Sequence, residues 1–254
     1  MKKILFLLLV VITTLSSCSE DNDDNLKANA TVTFTHSQNW DGTIINSTNF
    51  DSQDFTNENG EILNIVRIRY LTSRYQLTNL SGETYSFDGY SFVDISDEST
   101  LIFDPNTSIP TGVYTLKIIY GFNEEDNIDG NYPNLNSASW NWPEMLGGGY
   151  HFMQFDGMYD VNTSSPKPFN FHNGTAKISD GVFEQNFVTI EFSNALDISR
   201  GTNIEIKMNI AEWFKNPNTW DLNVYDTPLM PNYDAQKLMQ QNAASVFSLG
   251  EITQ

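Results

Sequence analysis

Cysteine and basic residues are both scarce in this chain of 254 residues. It contains a single cysteine, which excludes an intramolecular disulfide and a site built from several thiolates. It has 13 Lys and Arg residues against 32 Asp and Glu residues, for a formal net charge of -19. Such a chain has no basic patch to displace the counterions of a phosphate backbone, so nucleic acid is excluded as a partner. The same charge argues against electrostatic attachment to anionic lipid.

The one cysteine, Cys18, ends an N-terminal segment with the features of a secretory signal. Lys2 and Lys3 form a basic start, and residues 4–12 are an unbroken apolar run that is too short to span a bilayer. The sequence Leu-Ser-Ser-Cys that follows resembles the cleavage site of bacterial lipoproteins, where the cysteine becomes lipidated. We therefore predict a lipoprotein signal peptide over residues 1–17 and a lipid anchor on Cys18, which attaches the protein to the membrane.

An acidic stretch follows the anchor directly. Residues 19–24 have the sequence Ser-Glu-Asp-Asn-Asp-Asp, which is typical of a solvated tether. Its position behind the lipidated cysteine resembles the surface-export signal of Bacteroidetes lipoproteins. We predict a tether over residues 18–29 and a location on the outer membrane, at the cell surface.

Catalytic motifs are missing as well. The chain has no Gly-x-Ser-x-Gly nucleophile elbow and no Walker-type phosphate loop, and its cysteine is committed to the anchor. Its carboxylates are so numerous that no pair stands out as a glycosidase dyad. We predict that the protein is not an enzyme.

The remainder of the chain, residues 30–254, has the pattern of short strands. Residues suited to a buried face alternate with polar residues in five segments, which are 32–36, 66–70, 114–120, 188–192 and 204–210. Clusters of Gly, Asn, Asp, Ser and Pro separate the segments. The pattern predicts an all-β fold, an antiparallel β-sandwich with long loops. One short amphipathic helix is predicted near the C-terminus, after Pro231.

Histidine is scarce, and each of the three lies on or at the end of a predicted strand: His36, His151 and His172. Three neutral imidazoles that leave one position open are a common site for copper or zinc. The alternative is that the three are scattered and never meet, because no close pair in the sequence preorganises a site.

Residues 140–154 are the most distinctive segment, with two tryptophans, three consecutive glycines and His151. The glycines allow a sharp turn or a close approach before the next strand. Alternation along that strand puts His151 on the same face as Met153 and Phe155. Imidazole and thioether together suit a soft metal such as Cu(I), whereas the other interpretation is an aromatic core strand in which Met153 fills a gap.

Four segments follow one another in a recognisable order. Residues 63–73 resemble the pattern l-x-i-x-x-l-x-Y-x-i-S, residues 109–114 resemble v-P-x-G-x-Y, residues 121–135 form the loop that follows, and residues 140–152 are similar to W-x-W-x-x-G-Y-x-F. Together they resemble MbnP-like proteins, a family of periplasmic or outer-membrane copper-binding proteins linked to bacterial copper acquisition. The resemblance covers about residues 32–157 and implies an MbnP-like β-sandwich domain, which we place at residues 30–254.

The family resemblance implies that histidines bind copper, with His151 as the first candidate ligand, then His172 and His36. Met153 is a possible additional ligand.

The resemblance also implies a partner, because a di-haem enzyme of the MauG type oxidises a tryptophan to kynurenine in some members. The candidates in this chain are Trp40, Trp140 and Trp142. The sequence departs from the family pattern by four extra residues between Trp142 and the Gly149–Tyr150 pair.

A lipid-anchored copper-binding protein, acting in copper acquisition or handling, is therefore the function that the sequence favours. One alternative is a metal-free surface lipoprotein that binds glycans or another ligand through its many aromatic residues. The other is a structural subunit of an outer-membrane assembly.

Overall fold

The computed structural model describes residues 28–254. The predicted signal peptide, Cys18 and all but the last two residues of the predicted tether lie outside the described residues. The first strand begins at Asn29, one residue before the predicted start of the domain. None of the helices between residues 28 and 254 has the length and apolar character needed to cross a membrane.

Strands dominate the described chain. In order, the first nine are β1 (Asn29–Trp40), β2 (Thr43–Ile45), β3 (Asp54–Thr56), β4 (Ile62–Asn79), β5 (Thr84–Ser86), β6 (Tyr90–Asp94), β7 (Ile102–Phe103), β8 (Ser108–Pro110) and β9 (Gly112–Tyr120). The others are β10 (Met153–Tyr159), β11 (Lys167–Asn173), β12 (Ala176–Ser179), β13 (Val182–Glu184), β14 (Val188–Ile198), β15 (Thr202–Asn209) and β16 (Phe247–Thr253). The α-helices are α1 (Pro133–Ser137) and α2 (Tyr233–Val246). Short 3₁₀ turns occupy Ser47–Asn49, Glu98–Leu101, Glu144–Leu146 and Ile210–Phe214.

Two sheets and one hairpin contain all of these strands. The six-stranded sheet has the order β16-β15-β1-β2, with β7 and β8 also paired to β1. The eight-stranded sheet has the order β11-β10-β4-β9-β14, with β3, β5 and β6 also paired to β4. Strands β12 and β13 form the hairpin. The predicted all-β, antiparallel sandwich is confirmed, with the pairing of β1 and β15 as the one parallel contact among the described strands.

Aromatic side chains fill the space between the two sheets. Phe34 of β1 contacts Tyr75 of β4, with ring centroids 4.7 Å apart, and Tyr70 of β4 lies 6.0 Å from Phe247 of β16. All four side chains are buried, and β1 alternates between buried and more exposed residues along its length. The apolar face that the sequence pattern predicted is therefore the inner face of the sandwich.

The predicted C-terminal helix is present as α2. Asn232 begins it by accepting a hydrogen bond from the backbone N–H of Ala235 at 3.1 Å, which satisfies one of the free donors of the first turn. Strand β16 follows the helix and was not predicted. It completes the six-stranded sheet beside β15.

The segment before α2 belongs to the core of the protein. Trp213, Phe214 and Trp220 are buried and surround Phe171 of β11, with ring centroids at 5.9, 5.6 and 4.4 Å. These contacts close the sandwich at the β10–β11 edge. The C-terminal third of the chain therefore supports the strand that carries His172.

His36 lies inside the sandwich. Its Nε2 is 3.0 Å from the Tyr75 hydroxyl and 3.2 Å from the Ser91 hydroxyl, and its Nδ1 is 3.4 Å from the Tyr70 hydroxyl. Burial lowers the pKa of His36 to about 3, so the ring is neutral at any physiological pH. The unfolded chain takes up a proton at this residue below its ordinary pKa of 6.5, which the folded chain does not.

This difference predicts the effect of acid on His36→Gln. Between pH 7 and pH 5 the wild-type protein should lose about 2 kcal/mol of unfolding free energy through His36 alone, because only its unfolded state is protonated there. The His36→Gln variant should not lose this unfolding free energy, as measured by urea unfolding at the two pH values. His151→Gln, which removes another buried histidine, should reduce the pH-dependent loss by a similar amount. A pH dependence identical in wild type and His36→Gln would contradict the prediction.

Candidate metal site

A polar cluster occupies the outer face of the eight-stranded sheet, where β4, β10 and β11 lie side by side. Gln154 of β10 lies opposite Arg69 of β4 and His172 of β11, and Asp156 of β10 lies opposite Arg67. Paired residues on neighbouring strands project to the same side of a sheet. The register therefore places two arginines, a carboxylate and His172 together on the side away from the core.

A loop formed by residues 140–151 carries the second histidine to this cluster. The loop closes on itself through the hydrogen bonds from Trp142 N to Gly149 O (2.8 Å) and from His151 N to Trp140 O (2.9 Å). The residues that the sequence adds to the family pattern include the 3₁₀ turn Glu144–Leu146 at its tip. All three consecutive glycines, residues 147–149, have positive φ angles, a conformation that side chains disfavour. The insertion thus extends the loop while its two ends stay paired.

His151 and His172 are neighbours in the structure. Their ring centroids are 5.4 Å apart, and the rings are nearly perpendicular at 79°. His151 is 6 % exposed, and the side chain of His172 is 14 % exposed. The pair is therefore enclosed, with His172 as its more accessible member.

The hydrogen bond of His151 fixes its tautomer. Nδ1 lies 3.0 Å from the backbone carbonyl oxygen of Trp140, which can only accept, so the proton of the neutral ring is on Nδ1. The pKa of His151 is lowered to about 3, mainly by burial, with smaller contributions from His172, Arg69 and Arg67 and against the effect of the Trp140 hydrogen bond. The lone pair of Nε2 is consequently available at neutral pH.

A carboxylate fixes the tautomer of His172 in the same way. Nε2 lies 2.7 Å from Oδ1 of Asp156. Burial alone would raise the pKa of Asp156, but the hydrogen bonds of His172 and Asn170 and the charge of Arg67 bring it to about 2. Asp156 is therefore ionised and accepts the Nε2 proton of His172, so the remaining lone pair of the uncharged form of this ring is on Nδ1. A carboxylate behind a histidine is the usual second layer of a metal site.

Tryptophans shield His151 from solvent. The ring of Trp142 is 4.9 Å from that of His151 at 80°, and the ring of Trp140 is 5.4 Å away. Both tryptophans are buried. Gly174 makes room for Trp142, since a Cβ at this residue would lie 2.6 Å from the indole ring. The pocket around His151 is thus largely apolar.

Two guanidinium groups give the cluster positive charge beside the histidines. Nε of Arg67 donates to Oδ2 of Asp156 at 2.7 Å, which balances one charge. Arg69 hydrogen-bonds Gln154 and lies over the ring of Trp140, 5.1 Å from its centroid. Burial and the neighbouring Arg67 lower the pKa of Arg69. Two carboxylates oppose these charges: Asp156, and Asp94 of β6, which is paired with Arg69.

The structure corrects three of the sequence-based expectations. His36 faces the interior of the sandwich, while the histidine pair lies on the opposite side of the eight-stranded sheet, so three histidines do not converge. Met153 lies opposite Tyr70 and packs in the core, because the strand begins at Met153 and its alternation does not extend back to His151. Trp40 stacks on Phe55 at 4.9 Å in the core, away from the pair.

Two contributors to the site were missed from the sequence. Asp156 is a lone carboxylate in the apolar strand Met-Gln-Phe-Asp-Gly-Met-Tyr, a signal that we did not use. Gln236 of α2 is fully buried and donates to the backbone oxygen of His172 at 2.7 Å. It also accepts from the Asn173 side chain and from Gly174 N, at 3.1 and 3.2 Å. The helix thereby holds the end of β11 in place.

The donor set suits an ion that accepts few protein ligands. Within residues 28–254, no group of three or more His, Cys, Asp or Glu side chains is arranged to hold a metal ion. A structural zinc site normally needs four such ligands, and calcium needs many oxygens. Imidazole nitrogens are ligands that copper accepts, and these two rings are the candidate pair.

Fold and site together define the class of protein: a β-sandwich with a pair of adjacent histidines beneath a tryptophan loop on the outer face of one sheet. The sequence model of the MbnP family matches residues 28–232, and the chain belongs to this family. The match extends well beyond the residues 32–157 that the motifs covered, and includes most of the C-terminal third.

A solved structure shares the fold. MbnP from Methylosinus trichosporium superposes with a TM-score of 0.57 at 10 % sequence identity, covering 88 % of this chain and 99 % of that one. At this identity the likeness establishes the fold alone. No curated protein sequence matches the chain.

The hydrogen bonds at the pair predict opposite tautomers for its two members. In the metal-free protein, His151 should be protonated on Nδ1 and His172 on Nε2, as read from the ¹⁵N shifts of histidine-labelled protein. In Asp156→Ala, His172 should lose its preference for a proton on Nε2 because its acceptor is gone, while His151 should keep its proton on Nδ1. Observation of His172 protonated on Nδ1 in the wild type would contradict the assignment.

Proposed function

We propose that this protein binds copper between His151 and His172 and carries it as cargo, without catalytic turnover. One observation carries the proposal. The two rings are adjacent, each has one nitrogen hydrogen-bonded to an acceptor, and each retains one lone pair. The hydrogen-bond acceptors behind the rings hold them in the tautomers a metal requires.

The guanidinium groups of Arg67 and Arg69 favour Cu(I) over a divalent ion at this position. The charges of both groups lower the pKa of His151, and Asp156 is already bonded to Arg67. Each additional positive charge on the metal increases the repulsion in this enclosed region, where screening by water is weak. The indole faces of Trp140 and Trp142 beside His151 would also stabilise a soft monovalent cation.

We propose Trp140 and Trp142 as the residues at which oxidation by a di-haem partner would alter the metal site. Both rings contact His151, whereas Trp40 packs in the core. Their hydrogen bonding differs, since Nε1 of Trp142 donates to the backbone oxygen of Leu146 at 3.2 Å. Nε1 of Trp140 has no partner within residues 28–254. Oxidation of Trp140 would therefore break fewer hydrogen bonds than oxidation of Trp142.

Burial weighs against glycan binding by the tryptophan loop. Trp140 is fully buried and Trp142 is 2 % exposed, so neither presents a face on which a sugar can stack. The positions of these tryptophans therefore fit copper binding better than glycan binding. We place its action at the outer membrane, on the cell surface, with the acyl chain on Cys18 as the anchor.

Copper titration tests the site directly. In competition with a chromophoric Cu(I) chelator, the soluble form lacking Cys18 should bind one equivalent of Cu(I). His151→Ala and His172→Ala should each weaken binding by at least about 100-fold, because a ligand is lost. Asp156→Asn should weaken it by roughly 10–100-fold, because the acceptor behind His172 becomes neutral.

His36→Gln and Met153→Leu are the matched controls for that titration. Both change a predicted ligand that the structure places in the core, so both should bind Cu(I) as the wild type does. Wild-type binding that survives in the double variant of His151 and His172 would overturn the proposal. Loss of binding in His36→Gln with the fold intact would do the same.

The anchor is tested by fractionation. Full-length protein expressed in a bacterium that processes lipoproteins should be found with the membranes and should carry a lipid on its N-terminal peptide by mass spectrometry. Cys18→Ser should be released into the soluble fraction, because the acidic chain has no electrostatic attraction to the bilayer. Retention of Cys18→Ser in the membrane would show that another contact anchors the protein.

A further inference from the structure

The six-stranded sheet has a gap along one edge of β1. On that edge β8 pairs with residues 29–31, β7 with residues 34–35 and β2 with residues 38–40. On the other edge β15 pairs without interruption from Val32 to Asn39. Among the described strands, none pairs with His36 and Ser37 on the interrupted edge. The gap gives solvent a route to the inner face of β1.

Two adjoining cavities occupy this gap. Their volumes are about 330 and 340 Å³, which falls in the range of small-molecule sites. They share five lining residues: His36, Gln38, Ile45, Asn46 and Leu101. The second cavity extends further along the apolar side chains of Ile95 and Ile102. The gap therefore leads to a space with apolar walls and a few buried polar groups.

Gln38 provides a free acceptor in this space. It is 4 % exposed, and its Nε2 donates to the Tyr70 hydroxyl at 2.9 Å. No donor within residues 28–254 reaches its Oε1, and this oxygen is not among the buried atoms sealed from solvent. A carbonyl oxygen in such a place gains a hydrogen bond when a donor enters the cavity.

His36 sets the charge of the interior without offering a ligand nitrogen. Both ring nitrogens are already within hydrogen-bonding reach of hydroxyl groups, which distinguishes this histidine from the pair on the outer face. The ring is neutral, and the formal charges that line the cavities are Glu98 for one, and Glu205 and Lys207 for the other. An anion would meet two carboxylates against the single cation of Lys207, and it would lose hydration in a neutral interior.

We propose that the gap beside His36 binds a small, neutral, amphipathic molecule that carries a hydrogen-bond donor. Its apolar part packs against Ile45 and Leu101, and its donor reaches Oε1 of Gln38. This site is separate from the proposed copper site. It lies on the core side of the sandwich, whereas the histidine pair lies on the outer face of the eight-stranded sheet, and the two sites share no side chain.

A pair of fluorescent probes tests the chemistry of the site. N-phenyl-1-naphthylamine is neutral, has an aromatic body and carries one N–H donor. Its fluorescence should rise saturably with the protein in a one-to-one complex. 1-Anilinonaphthalene-8-sulfonate has a similar body with a negative charge, and should bind at least about tenfold more weakly, because the interior is neutral and the charged residues of the lining carry a net negative charge.

Variants locate the binding. Leu101→Trp should abolish binding of the neutral probe by filling the cavity, and Ile178→Trp, a matched change at an exposed position on β12, should leave it unchanged. Gln38→Leu should weaken it by about fivefold to tenfold, because one hydrogen bond is lost. Circular dichroism shows whether Leu101→Trp folds. If it does not, Gln38→Leu still tests the binding site, because this change preserves the cavity walls.

The result must not depend on copper. The same titration on the His151→Ala and His172→Ala double variant should give the wild-type affinity, so that failure of one proposal leaves the other standing. Absence of saturable binding by the neutral probe would overturn the inference. Equal binding of both probes, or binding unchanged in both Leu101→Trp and Gln38→Leu, would overturn it as well.

Discussion

The hydrogen-bond partners of the buried histidine rings are the constraint on which both polar regions of the protein depend. A neutral imidazole has one donor and one acceptor, and the surroundings decide which of them is used internally. At His36 both nitrogens have hydroxyl partners, so the ring belongs to the core. At His151 and His172 each ring has one strong acceptor, which is the Trp140 carbonyl or the Asp156 carboxylate. The same side chain is fully hydrogen-bonded in one place and has one nitrogen without a partner among the described contacts in the other.

Sheet register determines where the available lone pairs lie. Asp156 is at the centre, since it accepts from His172, Asn170 and Arg67 at once. All of these side chains project from the outer face of neighbouring strands, so their positions follow from backbone pairing more than from side-chain flexibility. His151 comes from a loop, but its backbone N–H and its Nδ1 both bond the same carbonyl oxygen. That double contact gives a loop residue the fixed position of a strand residue.

The sequence carried more information about the fold than about the site, for a physical reason. Alternation is a local signal, and it predicted the strands and even placed His36 on the same face as Val32 and Phe34, which is the core face. The parallel pairing of β1 with β15 joins residues about 170 positions apart, and no local pattern encodes it. The role of Asp156 was not predicted for the same reason, because its contact with His172 depends on the register of β10 and β11. The scarcity of histidine and the family motifs identified the pair, but only the folded sheets separate it from His36.

The carboxamide of Gln236 ties the backbone of β11 to a helix that lies 64 residues further along the chain than His172. A polypeptide leaves the ribosome from its N-terminus, so both histidines emerge well before this helix. Until α2 docks, the end of β11 lacks the three hydrogen bonds that Gln236 makes to His172, Asn173 and Gly174. The final geometry of the histidine pair is therefore set only after the C-terminal helix has been made.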